Sequence, residues 1–133
     1  MKDPTSQKLI CIVDDDRQLV HALSLRCRQI GLRVGQAYDS VTALLQIHTH
    51  LPDFICLDVN LPGGSGLSLC EMLCSDDRTA RIPKIVLTGR SDHDTIRRCH
   101  MMCAYYVEKS TDVWDRMGPL LHELLGEEPP GKL

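Results

Sequence analysis

Along the chain, apolar positions alternate between two spacings. "KLICIV" (Lys8 to Val13) is an unbroken apolar run after its lysine, which predicts a strand covered on both faces. Val20, Leu23, Cys27 and Ile30 then recur at helical spacing, and Gly31 is a natural C-terminal stop. "LRVGQAY" reads as a short strand. Val41, Leu44, Leu45 and His48 mark a second helix, capped by Asp39 or Ser40. Pro52 breaks the chain, and "DFICLDV" is a second buried strand. The loop "NLPGGSG" leads to a helix with Leu69, Met72 and Leu73 inward. Pro83 precedes a third buried strand, "KIVLTG". A polar helix from about Asp92 to Met102, a short strand "AYYVEK" and an amphipathic segment from Val113 to Leu125 complete the pattern.

Strand and helix thus alternate five times. That alternation implies a parallel sheet with helices on both faces, and right-handed crossovers make it a three-layer, doubly wound α/β domain. The expected organisation is an N-terminal extension (1–7), one domain (8–125) and a tail or linker stub (126–133). One feature strains the pattern near its end. Gly118-Pro119 falls inside the last helix, where proline removes a hydrogen bond and clashes with the preceding turn. The expectation is a kink, or a break with Pro119 opening a new turn.

Composition adds little that conflicts. The 133 residues can bury a sizeable core, and the formal net charge of -3 offers no electrostatic pull toward nucleic acid or anionic membrane. No apolar run reaches the roughly 20 residues of a membrane span. "MKDPTSQK" is polar and unlike a signal peptide, so a cytoplasmic location is expected. Of the seven cysteines, Cys11 and Cys56 lie in apolar runs, while Cys70/Cys74 and Cys99/Cys103 are spaced as neighbours on a helix. No zinc-type spacing appears; His100 beside Cys99 and Cys103 comes nearest. Reduced, buried thiols are the expectation.

In doubly wound sheets, ligands gather at the carboxyl ends of the strands. The first strand delivers Asp14 and Asp15 there, the third Asp58, the fourth Thr88 and the fifth Lys109. Carboxylates this close need a cation, and Mg2+ (or Mn2+) favours such an oxygen-rich set. A pocket so loaded suits a phosphoryl group, with Asp58 as nucleophile, Lys109 and Thr88 each holding an oxygen. Asp16, one step before the first helix, is assigned instead as its N-cap.

"VDDD", "LDVNLPGGSG", "VLTG" and "YYVEK", in this order, resemble the receiver domain of two-component response regulators, from about Lys8 to Leu125. The resemblance implies a flavodoxin-like sheet with strand order 2-1-3-4-5. It implies that Asp58 is the phosphoacceptor, that Asp14 and Asp15 are the acidic pair with Asp15 a direct metal ligand, and that the Asn60 carbonyl joins them on Mg2+. Thr88 and Tyr106 correspond to the switch pair and Lys109 to the phosphate-binding lysine. Arg90, two past Thr88, and the Asn60 side chain are candidates for tuning dephosphorylation. A histidine kinase or histidine phosphotransfer protein would donate the phosphoryl group. The fourth helix, fifth strand and fifth helix would then switch to control an output domain or protein partner, with self-catalysed transfer and not conventional turnover.

The sequence departs from that family pattern in places. Ser110 follows Lys109 where the family carries a proline, so the bond between them is either trans with a reshaped loop or a strained cis bond. Met102 stands where the family ends its fourth helix with glycine, so a remodelled exit is expected. The loop after Thr88 is about one residue short. These departures keep open a pseudo-receiver, the same fold acting as a docking module without phosphorylation. A haloacid-dehalogenase-type phosphatase fits less well, because its nucleophile ends the first strand in DxD and it carries a cap. A flavodoxin-like FMN binder needs a phosphate loop where the acids stand.

Overall fold

The structure, a computed structural model, describes residues 7–89, 93–102, 104–109 and 112–126. Its elements follow the alternation. They are β1 (Leu9–Val13), α1 (Arg17–Gln29), β2 (Arg33–Ala37), α2 (Ser40–His50), β3 (Phe54–Asp58), β4 (Asn60–Leu61), β5 (Gly64–Ser65), α3 (Gly66–Ser75), β6 (Lys84–Thr88), α4 (His93–Met101), β7 (Tyr105–Glu108) and α5 (Val113–Leu124). The main sheet is parallel with order β2-β1-β3-β6-β7. Counting its strands alone, that is 2-1-3-4-5. The order reverses beside β1, which places the switch point between β1 and β3.

Strand residues alternate between two cores, which is why the central strands read as continuous apolar runs. Ile10, Ile12, Phe54, Cys56, Ile85 and Leu87 face the α1 and α5 side, against residues such as Val20 and Met117. Cys11, Val13, Ile55, Leu57 and Val86 face the other side, against α2, α3 and α4. The β4–β5 pair inside "NLPGGSG" is a two-stranded antiparallel hairpin, where a plain loop was expected.

Some helical faces differ from expectation. In α2 the buried residues are Ala43 and Ile47, while Val41 (63%) and Leu45 (66%) are exposed. Leu44 packs partly against the same core, so of the expected aliphatics only Val41 and Leu45 turn outward. Met72 is also outward, at 55% exposure, while Leu69 and Leu73 are buried as expected and Leu67 and Cys70 join them in the core. Asp39, and not Ser40, caps α2, its carboxylate accepting from the Thr42 N–H at 2.8 Å. Helix α1 stops as expected: Ile30 is its C-cap and Gly31 follows at φ +92°.

The departures near the chain end resolve differently. Helix α5 runs unbroken through Pro119, so no new helix starts there. Gly118 leaves space for the Trp114 indole, whose Cε2 would lie 2.9 Å from a Cβ at that position. Helix α4 ends at Met101, with the Met102 N–H donating to the Arg98 carbonyl and the Ala104 N–H to the Cys99 carbonyl. Among the described residues Leu51 is the only non-glycine with positive φ, so Met102 leaves the helix without a left-handed turn. Arg90, the shortened loop at 90–92, Cys103, Ser110 and the 127–133 segment lie outside the described residues. The Lys109–Ser110 bond lies there with them.

Lys84 opens β6 fully covered, at 2% exposure. Its Nζ donates to the carbonyls of Thr79, Ala80 and Ile82 at 2.9, 3.1 and 2.9 Å. A buried ammonium satisfied by backbone acceptors ties the turn after α3 to the sheet.

Candidate functional site

The carboxyl edge is assembled from strand ends. Asp14 follows β1 and is fully buried; its N–H donates to the Ala37 carbonyl at 3.1 Å, which pins it beside the end of β2. Asp14 Oδ1 accepts from the Asp16 N–H at 2.9 Å, so its other oxygen, Oδ2, is left for the site. Asp58 ends β3 and is 3% exposed. Asp15 is exposed, yet Asp14, Asp15 and Asp58 each offer an oxygen within 4.8 Å of one another. The three expected acids therefore converge, with Asp15 on the solvent side.

Lys109 closes the site from β7. Its N–H donates to the Thr88 carbonyl at 2.7 Å, locking the end of β7 against the end of β6. Its ammonium lies 2.8 Å from Asp14 Oδ2 and 3.2 Å from Asp58 Oδ2. The first contact is an ion pair of poor hydrogen-bond angle, so the buried Oδ2 still lacks a well-directed partner. Thr88 is buried at the end of β6, at the edge of the same cleft. Asn60 is exposed and lies two residues past Asp58, at the start of β4. Tyr106 is 40% exposed on β7.

Electrostatics follow from this crowding. Burial raises the Asp58 pKa above the ordinary aspartate value, and the nearby Asp14 charge adds to it; Lys109 and the Asn60 N–H pull it back. Burial alone would lower the Lys109 pKa, but its contacts with Asp14 and Asp58 outweigh that and hold it high. The site thus carries more acid than one ammonium balances. Three carboxylates, one with an oxygen buried and poorly partnered, are the donor set that a hard divalent cation takes.

Asp16 stands apart from this chemistry. Its carboxylate accepts from the Leu19 N–H at 3.1 Å and caps α1. Asp16→Ala is expected to lower stability by about 1 kcal/mol, measured by urea denaturation, and to leave metal binding at the site unchanged.

Sequence reasoning missed one residue that shapes the site. Gly66 opens α3 directly against the Asp58 backbone, its N–H donating to the Val59 carbonyl at 2.7 Å. A Cβ there would lie 1.7 Å from the Asp58 carbonyl oxygen. The signal was present in "LPGGSG", where the third glycine had no turn left to make.

A doubly wound sheet with such an acidic carboxyl edge belongs to the flavodoxin-like class of α/β domains. Within that class, the sequence model of the response regulator receiver domain matches residues 10–115, and the chain belongs to that family. It is 33% identical over 105 residues to the DNA-binding dual master transcriptional regulator RpaA of a Synechocystis strain, covering 78% of this chain and 44% of that protein. It is 37% identical over 86 residues to the response regulator PleD of Caulobacter vibrioides, covering 62% of this chain and 19% of that one. The chain therefore spans less than half the length of these relatives. Among solved structures it resembles a putative response regulator from Chloroflexus aurantiacus, with TM-score 0.82, 28% identity, and coverage of 92% of this chain and all of that one. Receiver domains are signalling modules of two-component systems. Among the described residues no helix is long and apolar enough to cross a membrane.

Proposed function

We propose that the domain over residues 8–125 accepts a phosphoryl group on Asp58 and uses it to switch a protein-contacting face. The observation that carries this reading is the Lys109 ammonium held between Asp14 and Asp58, at 2.8 and 3.2 Å, inside the acidic trio. An amine beyond reach of Asp58 would have undone it.

Asp14, Asp15 and Asp58, with the Asn60 carbonyl, are the groups that would hold Mg2+ (or Mn2+). Bound there, the ion supplies positive charge for a phosphoryl oxygen and offsets repulsion among the acids. The remaining work falls to the chain. An Asp58 carboxylate oxygen attacks phosphorus, a P–O bond forms, and the P–N bond to the donor's phosphohistidine breaks; the imidazole leaves with a proton from solvent. Lys109 neutralises charge on the transferred group and Thr88 donates to one of its oxygens. Asn60 and Arg90 are placed in sequence to govern how water reaches the acyl phosphate. Thr88 and Tyr106 then carry the change to the face of α4, β7 and α5, biasing a two-state element. The relatives' class supports a histidine kinase or histidine phosphotransfer protein as donor and an output domain or protein as downstream partner.

The test is exposure of the purified chain to acetyl phosphate, or to BeF3-, with Mg2+. A mass adduct on Asp58 and a change in fluorescence of the single tryptophan, Trp114, are expected. Asp58→Asn should lose both completely. Absence of any adduct on the unaltered chain with Mg2+ would favour a docking module that is never phosphorylated.

A further inference from the structure

Helix α3 carries Cys70 and Cys74 one turn apart. Cys70 is fully buried, while Cys74 is half-buried and faces an open groove between α3 and α4, beside Arg98, Met101 and Met102. The two side chains lie on neighbouring turns of one helix face, four residues apart. Cys74 also donates to the Met102 carbonyl, just beyond the end of α4, at 3.9 Å. None of these groups belongs to the acidic site. One thiol therefore lines an open groove, a second lies buried one turn behind it, and the first is tied to the neighbouring helix.

We infer that Cys74 and Cys70 form an oxidation site, which a hydroperoxide entering the groove converts to a disulfide within α3. The Cys74 sulfur attacks the outer peroxide oxygen, an S–O bond forms and the O–O bond breaks, releasing an alcohol or water. The Cys70 sulfur then attacks the Cys74 sulfenic acid. The S–S bond forms, the S–O bond breaks, and the hydroxyl leaves as water; the two thiol protons end in the two released molecules. Cys70 is the resolving partner because it is fully buried and out of reach of a peroxide in the groove, so Cys74 is oxidised first and the movement of the last turn brings Cys70 to it.

The linkage cannot form without movement. Residues four apart on a helix hold their Cβ atoms about 5–6 Å apart, and a disulfide needs roughly 3.5–4.5 Å. The last turn of α3 must yield. Cys74 is the penultimate residue of that helix, and the C-cap, Asp76, is already extended at φ -100° and ψ 123°. Drawing Cys74 inward removes its bond to Met102, so oxidation loosens α3 from the C-terminal end of α4.

The experiment treats the full reduced chain with hydrogen peroxide, alkylates remaining thiols, and digests it without reductant using a protease that cuts after glutamate. Cleavage after Glu71 falls between the two cysteines. The two fragments should stay joined by one disulfide, and amide exchange at Met102 should rise severalfold. Cys74→Ser, at a half-buried position that tolerates the change, should lose both effects. In Cys70→Ser, dimedone should trap Cys74 as its sulfenic acid. Full alkylation of Cys74 after peroxide, or its linkage to Cys99 or Cys103 instead, would overturn the assignment.

Discussion

Gly66→Ala should destabilise the domain by at least about 3 kcal/mol, the upper end of what overpacking a well-filled site does. The added methyl would sit 1.7 Å from the Asp58 carbonyl oxygen and 2.8 Å from its carbonyl carbon. Backbone cannot rotate away as a side chain can. Either α3 retreats from the end of β3, or the Asp58 peptide is pushed aside and the carboxylate with it. Gly63→Ala is the informative comparison. Gly63 has φ +83° and open space around it, so alanine there meets only the left-handed backbone penalty, about 1–2 kcal/mol. Urea denaturation of the two variants should show the larger drop in midpoint for Gly66→Ala, with unchanged slope. Equal losses would mean that conformation, and not close approach, explains both glycines. The folded fraction of Gly66→Ala should also bind Mg2+ more weakly, whereas Gly63→Ala should keep ordinary affinity.

That glycine marks where sequence reasoning ran out. Strand identity was legible because burial on both faces leaves a physical trace: "FICLD" has no polar residue until Asp58, where the strand meets the cleft. Converging acids were legible for the same reason, since a parallel sheet brings all its carboxyl ends to one edge. Helix facing was harder. Val41, Leu44, Leu45 and His48 have the right spacing for an inward stripe, yet of the three aliphatics only Leu44 packs against the core, and Ala43 and Ile47 are the fully buried pair in α2. Periodicity locates a stripe but does not weigh a small residue that permits close packing against a large one that demands volume. Lys84 was invisible for a related reason. A lysine at a strand start is expected in solvent, and only the three-dimensional course of the turn after α3 supplies the carbonyls that hold it. Of the two outcomes expected at Pro119, a kink or a break, the break does not occur, because α5 continues through it as one helix.

Lys109→Ala should separate two roles that one ammonium plays at this edge. Without a metal, Lys109 is the cation beside the fully buried Asp14 and the nearly buried Asp58. Removing one partner of a fully buried pair typically costs about 3–5 kcal/mol. The Lys109 side chain is 25% exposed, so solvent screens part of the interaction and a loss of roughly 2 kcal/mol is expected in metal-free buffer. Mg2+ should restore most of it, because the same carboxylate oxygens then face a divalent charge. Two measurements should therefore move in opposite directions. The stabilisation produced by saturating Mg2+ should be larger in Lys109→Ala than in the unaltered chain, since no ammonium competes for Asp14 Oδ2 and Asp58 Oδ2. The rate of phosphoryl uptake from acetyl phosphate should fall by at least about 100-fold, the scale on which a positioned charge stabilises a transition state. Lys109→Arg should recover stability without metal, but its planar fork cannot place a compact charge between two carboxylates and a phosphoryl oxygen, so uptake should stay impaired. If Lys109→Ala lost stability and uptake in proportion, with no added response to Mg2+, the lysine would be a structural clasp, and the phosphoryl-binding role proposed for it would fail.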